Sequence, residues 1–201
     1  MKRISQADIL AMDNYYRTAF VNSLPGIRQA NLIGTISKSG MTNVAVFNSI
    51  VHIGAHPPYM GFIMRPVSAE RHTYTNIKET GFFTINQVNE AIYTKAHQTS
   101  ARYEVSEFEA TGLTPVFSDA IQAPYVAECN VRIGLTYKEE YPILCNNTIL
   151  VIGEISEVYV NEDALNSDGI IQLQQTGAVG AGGLETYYSL NKLMQLAYAK
   201  P

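Results

Sequence analysis

A chain of 201 residues that is 46% hydrophobic can bury one sizeable core, and its length fits one domain spanning 1–201. A net charge of −4 argues against a nucleic-acid backbone as the main partner, though a small local anion site stays compatible with it. No apolar run reaches the ~18 residues of a membrane span, so no membrane partner is expected.

The basic start Met1-Lys2-Arg3 runs into Asp8 and Asp13 with no apolar stretch between, which is not a targeting signal. Ser5 can cap an N-terminal helix in which Ile9, Leu10, Met12, Tyr16, Ala19 and Phe20 recur at helical spacings, closed by Pro25-Gly26. ANLIGTIS and NVAVFNSIVHI read as two antiparallel strands around a turn at Lys38-Ser39-Gly40. Pro57-Pro58 ends the second strand and YMGFIM begins a third. Ser68-Ala69-Glu70 opens a short helix that Gly81 terminates, and FFTINQV follows as a strand.

NEAIYTKAHQTS has a weaker helical pattern, and 101–124 reads as an excursion with local turns. VAECNVRIGLTYKEE and NTILVIGEISEVYV are long strand candidates, the second with good alternation. The chain is expected to end in a glycine-rich loop, GAVGAGG, and a short closing helix. Sequential β-runs of this kind favour a mainly β, antiparallel barrel with peripheral helices.

The common nucleotide motifs are missing. GAVGAGG does not fit G-x-G-x-x-G and follows a Gln-rich segment rather than an apolar strand, and there is no Walker A sequence. Cys129 and Cys145 lack Cys-x-x-Cys spacing and read as two buried thiols in a reducing cytoplasm. His52 and His56 straddle a strand end and a turn, an unfavourable arrangement for a metal pair.

The stretch Asn43–Asn86 is richer. It combines a small-residue strand, a Pro-Pro corner, an apolar strand and a helix start bearing Arg and Thr. A flat ring with a phosphate tail needs an apolar wall, backbone groups at its polar edge, and a cation or hydroxyls at the phosphate. Val46, Phe47, Asn48, Ser49, Ile50 and Val51 could supply the wall and edge. Arg71 and Thr73 at a helix start could meet a phosphate, with Arg65 as a second cation. Taken alone, Arg71 reads sooner as a solvated surface arginine than as a phosphate ligand, and Thr73 reads as well as an ordinary helix-start hydroxyl.

The run NVAVFNSIVHIGAHPP resembles the strand-and-corner motif of the flavin reductase-like family, the FMN-binding split barrels, which include reductase components of two-component monooxygenases. Asn43, Ala45, Phe47, Ser49, Pro57 and Pro58 match that family's run, while Val46 and Asn48 stand where Pro and Ser are commoner. RHTYTNIKETGFFTIN resembles a second signature through Arg71, Thr73, Asn76, Ile77, Gly81, Phe83 and Asn86, with His72 in place of an acid. TILVIGEI matches a third block, and the resemblance spans roughly residues 20–190.

The resemblance implies an antiparallel split β-barrel holding FMN, with FAD as the alternative. In the family the first run contacts the ring and ribityl chain and the second holds the phosphate. Lys95 and His97 fall where such proteins contribute to the ligand rim, and Tyr188, with Tyr187, is a candidate to cover the ring. The resemblance further implies a homodimer, NAD(P)H-dependent flavin reduction with no side-chain acid or base, and a partner oxygenase as a candidate consumer. A non-enzymatic FMN electron carrier is the alternative activity.

Overall fold

The computed structural model describes residues 1–69 and 71–200. In chain order the elements are α1 (Gln6–Ala11), α2 (Asn14–Ser23), β1 (Ile27–Gln29), β2 (Asn31–Ile36), β3 (Thr42–Phe47), β4 (Ile50–Ala55) and β5 (Pro58–Met64). Then come α3 (His72–Thr80), β6 (Phe82–Gln87), α4 (Tyr93–Gln98), α5 (Glu107–Thr111), β7 (Pro115–Val116) and β8 (Tyr125–Val126). The long strands β9 (Val131–Ile143) and β10 (Thr148–Val160), a 3-10 turn at Glu162–Ala164, and the hairpin β11 (Val179–Gly182) and β12 (Thr186–Ser189) complete the chain.

Local chemistry explains most of these boundaries. Ser5 and Asp8 form a capping box at α1, as the serine suggested. The expected single N-terminal helix is two, because Asp13 accepts from the N–H groups of Tyr15 and Tyr16 and starts a new one. The helix expected from Ser68 starts later: 67–69 form a turn, α3 begins at His72, and Glu70 lies outside the described residues. Gly81 closes α3 in the left-handed conformation.

Seven strands form an antiparallel sheet in the order β3-β2-β6-β9-β10-β5-β4. The order puts β3 and β4 at opposite edges, yet only Asn48 and Ser49 separate them in the chain. The sheet therefore coils until its first and last strands meet. Register shifts in β10 at Ile152/Gly153 and Ile155/Glu157 help it curl. Across the interior, Phe62 of β5 sits edge-on to Phe47 of β3 at 5.2 Å and to Phe83 of β6 at 5.6 Å. The long strand expected from NVAVFNSIVHI is thus two strands, broken where the barrel is split.

Both faces of β2 and β6 are covered. Ile33, Phe83 and Ile85 turn into the barrel with Phe62 and Leu135. Leu32, Val44 and Val88 turn the other way, against Ala96 of α4, Phe108 of α5 and Val179 of β11. The glycine segment expected as a loop is the strand β11, paired with β1 and β12. Glycine is required there by close approach, since a Cβ on Gly180 would stand 2.2 Å from the Ile27 side chain. The expected closing helix is absent: 190–200 has no regular secondary structure. Of the two thiols expected to be buried, Cys129 is, while Cys145 is exposed because it falls in the turn between β9 and β10.

Candidate functional site

The site grows from the two-residue junction between β3 and β4. Ser49 is fastened to β5 twice: its Oγ donates to the carbonyl of Ile63 at 3.1 Å, and the Ile63 N–H donates to the Ser49 carbonyl at 3.3 Å. Asn48 is fastened to the C-terminal hairpin, its Nδ2 donating to the Gly183 carbonyl at 3.1 Å. Strand alternation divides the six residues singled out around this junction. Phe47 and Ile50 pack on the interior cluster with Phe62. Val46 packs on the opposite cluster, as Tyr187 does, and Val51 is exposed on β4. A ligand at the junction has Val46, Asn48, Val51 and backbone within reach, with Phe47 and Ile50 supporting the strand from inside.

From Ser49 the chain leads directly to a cationic corner. Arg65 and Pro66 follow β5, and the Pro66 carbonyl accepts from Arg71 Nε at 3.3 Å. Ile63, which holds Ser49, and Pro66, which holds Arg71, are three residues apart, so roughly 11 Å at most separates their Cα atoms. Arg71 is the N-cap residue of α3, with no side-chain cap among the described residues. The first-turn N–H groups of a nine-residue helix therefore face an anion-favouring end, with Arg71 half-buried and Arg65 exposed beside it.

Thr73 and Asn76 play a different part. Both are buried, and Asn43 Nδ2 donates to Thr73 Oγ1 at 3.1 Å and to Thr35 Oγ1 at 3.2 Å. Asn76 Nδ2 donates to the same Thr35 oxygen at 3.1 Å. This buried network fixes α3 to β2 and β3, and so fixes where the helix N-terminus points.

The hairpin and α4 supply an aromatic group on the cluster that Val46 also packs against. His97 Nδ1 and the Tyr187 hydroxyl are 3.3 Å apart, and Tyr93 lies against the Tyr187 ring with centroids 5.6 Å apart. Tyr93 and His97 are four apart in α4, so they share a face, and burial pushes the Tyr187 phenol pKa up. Lys95 is on another face of α4 and donates to the Gly112 carbonyl at 2.8 Å, which ties it to the end of α5 rather than to the junction. Tyr188, the neighbour of Tyr187, is exposed and lies over Gly182. Helical spacing alone could have paired Tyr93 with His97. The Asn48–Gly183 bond spans 135 residues and leaves no local signal.

A cleft of about 410 Å³ lies beside α3, lined by Ser37, Lys38, Thr42, Thr75, Glu79 and Glu107 among others. Glu79, Glu104 and Glu107 outnumber Lys38 and His72 on its walls, which disfavours a phosphate there compared with the α3 N-terminus. The junction and the corner at Arg71 are the better candidate for a phosphorylated ring.

Comparison with known proteins points the same way. Residues 27–178 match the sequence model of the flavin reductase like domain. A split-barrel protein of Shewanella frigidimarina NCIMB 400 described as a flavin reductase is 46% identical, with 99% of this chain and 100% of that one covered and a TM-score of 0.95. Nitrilotriacetate monooxygenase component B of Bacillus cereus shares the fold, with a TM-score of 0.84 at 22% identity and 98% of each chain covered. Flavoredoxin of Desulfovibrio vulgaris (Miyazaki F) is 25% identical with a TM-score of 0.75, over 87% of this chain and 92% of that one.

Proposed function

Because the chain belongs to the flavin reductase-like family, we propose that it is an FMN-binding oxidoreductase that reduces flavin with NAD(P)H. The observation that carries the reading is the short path Ser49–Ile63–Pro66–Arg71, which joins an apolar strand junction to a helix N-terminus that has no side-chain cap among the described residues, with its arginine. The residues fit the group: Val46, Asn48 and Val51 border the ring position, and the α3 N–H groups with Arg71 and Arg65 suit a phosphate.

Bound FMN supplies hydride acceptance from a nicotinamide and onward electron transfer. The chain's own residues position and enclose. Ser49 holds the junction to β5, Asn48 holds the hairpin over it, and the Asn43–Thr35–Asn76 network keeps α3 aimed at the phosphate. No side-chain acid or base is assigned, because this transfer needs position and electrostatics rather than proton exchange with the protein.

A second copy of the chain is part of this reading. No residue of α1 or α2 is buried, and Leu10, Tyr15, Leu193, Leu196 and Tyr198 are exposed, so a homodimer would cover both chain ends. By analogy with the monooxygenase component B, a partner oxygenase is the proposed consumer of reduced flavin, with FAD as the alternative flavin. The similarity to flavoredoxin favours one rival, an FMN electron carrier without nicotinamide chemistry.

Anaerobic mixing of the flavin-loaded protein with NADH, and separately NADPH, separates the two. Bleaching of flavin absorbance by one nicotinamide faster than free FMN reacts supports the reductase. Bleaching by neither, with reduction by a protein donor, supports the carrier.

A further inference from the structure

We infer that Asn48 reads the imide edge of the flavin ring, which rests on the flavin reading of the junction. Only two side chains at this junction carry polar atoms, since Val46, Phe47, Ile50 and Val51 carry none. The Ser49 hydroxyl donates to the Ile63 carbonyl. The Asn48 amide donates one Nδ2 hydrogen to the Gly183 carbonyl at 3.1 Å.

That bond fixes the orientation of a planar group. Turning the Asn48 amide over would set its Oδ1 against the Gly183 oxygen, two acceptors facing each other. The amide therefore keeps Nδ2 toward the hairpin and Oδ1 away from it. Its remaining capacity is an acceptor, Oδ1, beside the second Nδ2 hydrogen.

An isoalloxazine presents a matching edge. N3–H is the donor on its pyrimidine ring, and it is flanked by the carbonyl oxygens O2 and O4. An amide meets such an edge as it meets adenine, acceptor to N–H and donor to the neighbouring acceptor. In an apolar wall this pairing is selective, because a ring without the donor leaves Oδ1 unpaired. Asn48 thus makes the C-terminal hairpin part of the flavin site: Gly183 sets the amide, and the amide reads the ring.

The test compares FMN with 3-methyl-FMN, which carries a methyl group in place of the N3 hydrogen, by quenching of flavin fluorescence. Wild-type protein is expected to bind FMN about tenfold more tightly than 3-methyl-FMN. Asn48→Leu keeps the side-chain bulk without polar atoms, and its ratio is expected to fall to about one through loss of FMN affinity. Asn48→Ser, a milder change, is expected to give an intermediate ratio should the leucine variant not fold. A wild-type ratio of one, or a ratio unchanged in both variants, overturns the role of Asn48 while flavin binding stands. Failure of wild-type protein to bind either flavin overturns both.

Discussion

Asn43 and Thr73 meet inside the protein, Nδ2 to Oγ1 at 3.1 Å, and through that bond the strand β3 holds the helix α3. The hydroxyl is buried, so its first role is to position the helix. Thr73→Val leaves a buried amide hydrogen with one partner fewer, a loss of about 1–3 kcal/mol. The Tm is expected to fall by roughly 3–10 °C in calorimetry. The ratio of FMN to riboflavin affinity should fall with the Tm, because the helix end that meets the phosphate is held less firmly. A selective loss of FMN at unchanged Tm would assign Thr73 to the phosphate directly.

Gly34 lies where β2 passes under the segment before β8. A Cβ there would stand 2.1 Å from the Pro124 carbonyl oxygen and 2.6 Å from Thr84 Oγ1, which itself donates to that carbonyl. Backbone blocks one side and a hydrogen-bonded hydroxyl the other, so neither yields cheaply. Gly34→Ala should cost of the order of 4 kcal/mol or more and give little soluble protein. A denaturation midpoint equal to wild type would show that this contact relaxes.

Tyr125 is buried and donates to Glu157 Oε1 at 2.5 Å, and Ser118 donates to the same oxygen. Burial first, and the Glu157 carboxylate second, push the phenol pKa well above its ordinary value. The folded pKa exceeds the unfolded one, so this contribution is fully present below about pH 10 and is lost as pH rises above it. Between pH 10 and 11 the wild type should lose about 1 kcal/mol more than Tyr125→Phe, measured by urea denaturation. Parallel pH profiles would remove Tyr125 from the alkaline response.

Much of this was legible from residues alone. Apolar runs between turn residues marked β2, β5, β6 and β9, alternation marked β10, and Ser5 and Gly81 bounded helices by local chemistry. The break at Asn48-Ser49 was hidden, because two small polar residues interrupt an otherwise continuous strand pattern. The hairpin β11–β12 was hidden for another reason. Glycine has low strand propensity, and tertiary contact of Gly180 with Ile27 is what selects it. At the site, family resemblance led to the junction and to Arg71. It could not tell that Thr73 and Asn76 face a buried network, that Lys95 is tied to Gly112, or that Tyr187 rather than Tyr188 packs on the cluster of Leu32, Val44 and Phe108. Each of those depends on which face a side chain takes once distant strands are packed.

The claim that the β3–β4 junction and the α3 N-terminus together hold FMN is tested most directly by one equilibrium titration. FMN and riboflavin, which differ by the phosphate alone, are titrated into wild type and Arg71→Ala with fluorescence quenching as readout. The account predicts that wild type binds both, FMN more tightly, and that Arg71→Ala weakens FMN about tenfold or more while riboflavin is nearly unchanged. Equal weakening of the two, or no binding of either by wild type, would contradict it.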